Sequence, residues 1–95
     1  MSSLNQLQQY GISFQIKVLS SLLKHKEFLQ NIHDILDTEM FDNPAHKWIV
    51  GEILRYYYKY HTTPSTDTFQ VEVRKIENEV LKISVVEQLK EEKEF

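Results

Sequence analysis

The sequence predicts an all-α fold, a compact bundle of four to five helices. Three observations carry that prediction. Apolar residues recur at spacings of three and four along most of the chain, the spacing that lines one face of a helix. Only two Gly and two Pro occur in 95 residues, too few for the many turns of an all-β domain. Helix-start signals stand at Pro44 and Ser65, where a proline in the first turn and a hydroxyl cap are both favoured.

Taken in order, Met1 to Gln9 is rich in Ser, Asn and Gln and reads as a flexible tail over residues 1–10. Phe14, Val18, Leu19, Leu22 and Leu23 form the first stripe, with Ser13 placed to cap it. His25 and Lys26 break the pattern. Phe28, Leu29, Ile32, Ile35 and Leu36 form the second stripe. Asp37 to Asn43 reads as a turn with Phe41 tucked inward. Pro44 opens a long helix through Tyr60, whose stripe is Ile49, Ile53, Tyr56 and Tyr60, flanked by Val50, Leu54 and Tyr57. Gly51 inside it costs about 1 kcal/mol relative to Ala, which close approach of a neighbouring helix would offset.

His61 to Pro64 links to a helix capped by Ser65, with Asp67 in its first turn at the positive end of the dipole. Phe69, Val73, Ile76, Val80 and Ile83 then predict one long helix, or two with a break near Asn78. Val85, Val86 and Leu89 continue the apolar pattern. The helical domain spans residues 11–90, and 91–95 reads as a charged, frayed end.

Composition excludes several functions. With no cysteine the chain can form neither a disulfide nor a zinc–thiolate site. A formal charge of −3 argues against a dedicated non-specific DNA binder, which is ordinarily basic. Residues 44–63 hold a local excess of two positive charges, and residues 64–95 carry five basic against eight acidic residues. No apolar run approaches the roughly 20 residues of a membrane span, and the polar start is no signal peptide.

Catalytic motifs are missing. Neither Gly-x-x-x-x-Gly-Lys-Ser/Thr nor Gly-x-Gly-x-x-Gly occurs, and no serine sits in a Gly-x-Ser-x-Gly elbow. His33, Asp34, Asp37, Glu39, Asp42 and His46 would have to gather to hold a metal, at spacings that match no ligand pattern. No metal is therefore expected, His33 reads as part of a solvated face, and His46 as a ring packed on the corner and hydrogen-bonded to a turn carbonyl.

Two stretches invite a binding role. Arg55-Tyr56-Tyr57-Tyr58-Lys59-Tyr60 interleaves cations with rings, as single-strand binders do. Helical geometry turns Tyr56 and Tyr60 toward the stripe, leaving Arg55, Tyr58 and Lys59 as the open contact group. The stripe from Phe69 to Leu89 is either buried within the domain or a seam shared with another copy, flanked by Lys82, Glu87 and Lys90.

The order of these motifs resembles the N-terminal domain of DnaB-family replicative hexameric helicases over roughly residues 10–90. The matching residues are Val18-Leu19-x-x-Leu22-Leu23, Phe28-Leu29, the corner Leu36 to Phe41, His46-Lys47-x-Ile49 and Pro64-Ser65-x-x-x-Phe69. Tyr57-Tyr58-Lys59-Tyr60-x-x-x-Pro64-Ser65 is most similar to the helicases of T-even-like tailed phages. The resemblance implies a structural corner of Phe41, His46, Trp48, Pro64 and Ser65. It also implies a non-catalytic collar domain that supports a hexameric ring of copies of itself and docks primase or another replisome protein in the cytoplasm of an infected bacterium. DNA contact by this domain would be weak or absent.

No cofactor is implied for this chain; ATP and Mg belong to the RecA-like motor that such proteins carry downstream. The family's C-terminal helical hairpin is shortened or missing before Phe95, so the chain reads as an excised domain of a longer helicase. The expected contact residues are Arg55, Tyr58, Lys59, Lys82, Val86 and Leu89. The alternative is a stand-alone phage replication accessory protein that binds single-stranded DNA through Arg55, Tyr58 and Lys59.

Overall fold

The computed structural model describes residues 11–93, and every regular element in them is helical. Five α-helices follow in order: α1 Ile12–Lys24, α2 Lys26–Ile32, α3 Pro44–Tyr60, α4 Thr66–Arg74 and α5 Glu79–Lys93, with one 3₁₀ turn at Thr38–Met40 between α2 and α3. The expected tail over residues 1–10 and the terminal pair 94–95 lie outside the described residues.

The N-cap of α1 lies two residues earlier than expected. Gly11 holds the N-cap position at φ +83°, a left-handed backbone that glycine adopts without a Cβ clash. Ser13 therefore lies inside the helix and caps nothing. The buried face is Gln15, Val18, Leu19, Leu22 and Leu23, the i, i+3, i+4, i+7, i+8 pattern of a core-facing stripe. Phe14, expected in that stripe, is 39% exposed because it sits about 100° around the helix from Gln15.

The break before α2 is His25 alone, in an extended conformation, and Lys26 is already helical. α2 stops at Ile32, so Ile35 falls in the following turn and is 40% exposed, whereas Leu36 returns to the core. Phe41, fully buried, plugs the corner as its place in the turn predicts.

α3 runs over the residues predicted for it. Asn43 caps it by accepting the Ala45 amide at 2.7 Å, and Pro44 follows where its missing N–H leaves nothing unsatisfied. At the other end His61 takes the left-handed conformation, φ 59°, and its amide returns to the Tyr57 carbonyl at 2.7 Å. α3 packs most extensively on α5 and also meets α1 and the 3₁₀ turn.

The face that α3 buries is Ala45, His46, Ile49, Val50 and Ile53, continued by the partly buried Leu54 and Tyr57. This corrects the expected stripe: Tyr60 is 53% exposed, and Tyr57 is the tyrosine packed against the core. The nearest atom to a Cβ added at Gly51 would be Thr38 Cγ2 at 3.6 Å. The neighbour is thus the 3₁₀ turn and not another helix, at ordinary van der Waals distance.

Ser65 caps α4 as expected, accepting the Thr68 amide at 3.2 Å. The long stripe is two helices: α4 ends at Arg74, and Asn78 caps α5 by accepting the Leu81 amide at 3.0 Å. Phe69, Val73, Val85 and Leu89 enter the core, while Val80 and Ile83 stay outside, 76% and 55% exposed. The α5 helix continues through Lys93, beyond the boundary drawn at residue 90. Phe41, Phe69, Leu19, Leu22, Leu29, Ile49, Ile53 and Leu89 are essentially fully buried, each stabilising the bundle by about 1.5–3 kcal/mol relative to exposure.

Candidate partner-docking surfaces

The corner between α2 and α3 is held by short polar links. Asp37 starts the 3₁₀ turn by accepting the Glu39 amide at 2.9 Å, and Lys47 Nζ lies 3.7 Å from Glu39 Oε2. Asp42 is bound twice to Gln15 of α1: Gln15 Nε2 donates to Asp42 Oδ2, and the Asp42 amide donates to Gln15 Oε1, both at 3.0 Å. Gln15 is fully buried, and this pairing gives its amide both a donor and an acceptor, which a buried side-chain amide requires.

Of the expected corner residues, Phe41 and His46 meet edge to face with ring centroids 6.4 Å apart. Trp48 packs half-buried against the core, Pro64 is buried, and Ser65 caps α4. His46 departs from expectation in one respect. It is buried, as packing on the corner requires, but neither Nδ1 nor Nε2 finds a hydrogen-bond partner among the described residues. The turn carbonyl expected for it is not there.

The cation–tyrosine run of α3 divides between two sides. The Tyr58 hydroxyl donates to the His33 carbonyl at 2.9 Å, satisfying one of the carbonyls left open at the end of α2. His33 is no solvated face: its ring lies 4.8 Å from Tyr57 and edge-on to Tyr58 at 5.7 Å. Arg55 turns the other way, pairing with Glu52 on its own helix and reaching Glu72 of α4 at 3.5 Å. The hydrogen bond that Arg55 donates to Glu52, then the charge of Glu52 and that of Glu72, hold the guanidinium above its usual pKa range.

Arg55, expected as an open contact cation, is therefore already paired with two carboxylates, and it does not join Tyr58 in one group. The rings that do stand beside Arg55 and Lys59 are Tyr56 and Tyr60, whose centroids are 4.5 Å apart. Lys59 Nζ lies 5.4 Å from the Tyr60 ring. Together with Thr68 and Glu72 these four line a cleft of about 330 Å³ between α3 and α4. Rings and cations do converge here, but Glu52 and Glu72 neutralise much of the charge that a phosphate would need.

On α5 the expected contacts separate. Leu89 is fully buried and belongs to the core, so it cannot reach a partner. The reason is rotational: Leu89 lies one turn beyond Val85 on the face turned to α1 and α3, an orientation that tertiary packing decides. Lys82 and Val86 lie one turn apart and are brought together with Gln70, Val73 and Arg74 of α4 around a groove of about 310 Å³. Val80 and Ile83 do not line that groove and stay exposed on α5. A further cleft of about 390 Å³ separates the starts of α3 and α5, lined by Pro44, Ala45, Val80 and Leu81 with Asn43, Asn78 and Ser84.

Among the described residues no three His, Asp or Glu side chains gather where they could hold a metal ion, and no helix is long and apolar enough to cross a membrane. His33 packs on tyrosines and His46 faces Phe41. Comparison with family models, curated proteins and solved structures gives no match for this chain.

Sequence reasoning missed Gln15, Glu72, Arg74 and the Tyr56–Tyr60 pair. A glutamine within an apolar stripe was the available signal for Gln15, since a polar residue at a core position demands a partner.

Proposed function

We propose that this chain is a non-catalytic assembly and docking domain of the kind found at the N-terminus of DnaB-type replicative helicases, presenting helix faces to a further copy, to primase or to another replisome protein. The observation that carries docking is the division of the long apolar stripe: Phe69 and Val73 are core, whereas Val80 and Ile83 stay open on α5, at 76% and 55% exposure. Apolar side chains left outward on one helix are what partner surfaces use for affinity.

The helicase reading is supported by the order and spacing of the motifs that resemble that family. Those motifs also have structural occupations here that suit a scaffold: Phe41 and His46 in the core, Ser65 at a cap, Phe69 buried. ATP and Mg have no part in this domain's own work on that reading, and the cytoplasm is where it acts.

The rival reading, a stand-alone accessory protein that binds single-stranded DNA, draws on the cleft of Arg55, Tyr56, Lys59 and Tyr60. Titrating a labelled single-stranded oligonucleotide at low salt separates the two. The docking reading expects no salt-dependent binding. Binding that weakens with salt and is lost in Lys59→Glu and Tyr60→Ala would transfer the function to the accessory class.

A further inference from the structure

The groove between α4 and α5 differs from the other two clefts in its chemistry. Its floor is Val73 and Val86, and Gln70, Arg74 and Lys82 surround it. Several basic side chains elsewhere are paired, Lys47 with Glu39, Arg55 with Glu52 and Glu72, Lys75 with Glu72, and Lys59 lies over the Tyr60 ring. Arg74 and Lys82 have no such pairing with any described residue. Along α5 the row through the groove reads Glu79, Lys82, Val86, Lys90, at steps of three, four and four. Glu79 is in the first turn, where the helix dipole favours a carboxylate. The groove is therefore a local basic excess on a chain whose net charge is −3.

We propose that this groove receives an acidic amphipathic helix of a partner protein, with an apolar side chain seated on Val73 and Val86 and carboxylates on the flanks facing Arg74, Lys82 and Lys90. Apolar seating supplies affinity, and the opposed charges set register and exclude wrong partners. The inference rests on the docking reading above and adds a face distinct from Val80 and Ile83, together with the chemistry of the partner.

The same charges discriminate against other occupants. A second copy placed symmetrically would bring Arg74 and Lys82 against their own equivalents, since a two-fold interface repeats each patch on both sides. Single-stranded nucleic acid stacks on rings, and none lines this groove.

The test is an amide-resolved NMR titration of the ¹⁵N-labelled chain with two synthetic peptides. One carries leucine at positions i, i+3, i+4 and i+7 with glutamates on the flanks; the other has lysine in place of each glutamate. The glutamate peptide is expected to shift Gln70, Val73, Arg74, Lys82 and Val86. Its affinity should fall at least about tenfold in the Arg74→Glu/Lys82→Glu variant, which should then bind the lysine peptide instead. Arg74→Gln/Lys82→Gln should weaken the glutamate peptide without recruiting the lysine one, and its spectrum reports that the fold is intact.

Equal binding of both peptides to the unaltered chain overturns the proposal, as does absence of any shift at millimolar peptide. Shifts centred on Val80 and Ile83 also overturn it, yet leave the docking reading standing with a different face. Self-association in sedimentation that the double glutamate variant abolishes would give the groove to a second copy and likewise end the proposal.

Discussion

Gln15 and Asp42 exchange two hydrogen bonds, each 3.0 Å long, across 27 residues of sequence. Through them the first helix grips the corner that launches α3, and the corner carries Phe41 into the core one residue before Asp42. Gln15→Ala removes both bonds and leaves the Asp42 amide without its partner, with a predicted loss of about 2 kcal/mol. Asp42→Asn keeps the backbone bond and a side-chain oxygen able to accept, so its loss should be clearly smaller. Urea denaturation of the two variants checks the order; equal losses would mean that the carboxylate charge matters more than the geometry.

His46 makes the opposite case, a buried polar ring with neither nitrogen satisfied among the described residues. An unpaired buried polar group costs about 1–3 kcal/mol, so replacing it by an apolar side chain of similar size should cost nothing. His46→Leu is expected to leave the urea midpoint unchanged or raise it. A drop as large as a core truncation would show that the imidazole makes a bond essential to the folded state.

Gly51 is predicted to be dispensable. A Cβ there would meet only Thr38 Cγ2, at 3.6 Å, and the helix would gain the propensity difference of up to about 1 kcal/mol. Thermal unfolding of Gly51→Ala should show a higher midpoint. A lower one would show that the 3₁₀ turn seats more tightly on α3 than that distance allows.

The caps at Asn43 and Ser65 should each be worth about 1 kcal/mol, read as the loss on substitution by alanine. Asn43→Asp and Ser65→Asp retain a side-chain acceptor and a charge suited to the helix N-terminus. They are expected to keep most of the stability in the same unfolding measurement, and a loss matching that of the alanine variants would contradict the capping role.

These residues also show what was legible in the sequence. The starts of α3 and α4 could be read because Pro44 and Ser65 act locally, each through its own residue and the nearest amides. The break before α5 was left open, one long helix or two, and the Asn78 cap on the Leu81 amide settles it as two. What resisted reading was rotation. Ile49 and Ile53 are compatible with a stripe ending in Tyr56 and Tyr60 or with one ending in Tyr57, and only the placement of α1 and α5 decides between them.

That choice moved Tyr60 outward and exposed the Tyr56–Tyr60 pair beside Lys59. Leu89 is the same case on α5: its apolar character was plain, but whether it faced the bundle or a partner was settled by its neighbours. Lys82 and Val86 were each expected as contacts, whereas Arg74 enters their groove only because α4 folds back beside α5.

The central claim is that this domain works by docking within a replicative helicase. The most direct test is the intact mass of the native gene product and its sequence beyond Phe95. The account predicts a product several times heavier, with Gly-x-x-x-x-Gly-Lys-Ser/Thr downstream in a nucleotide-binding motor. A native product that stops at Phe95 would contradict it and leave the accessory-protein reading in front.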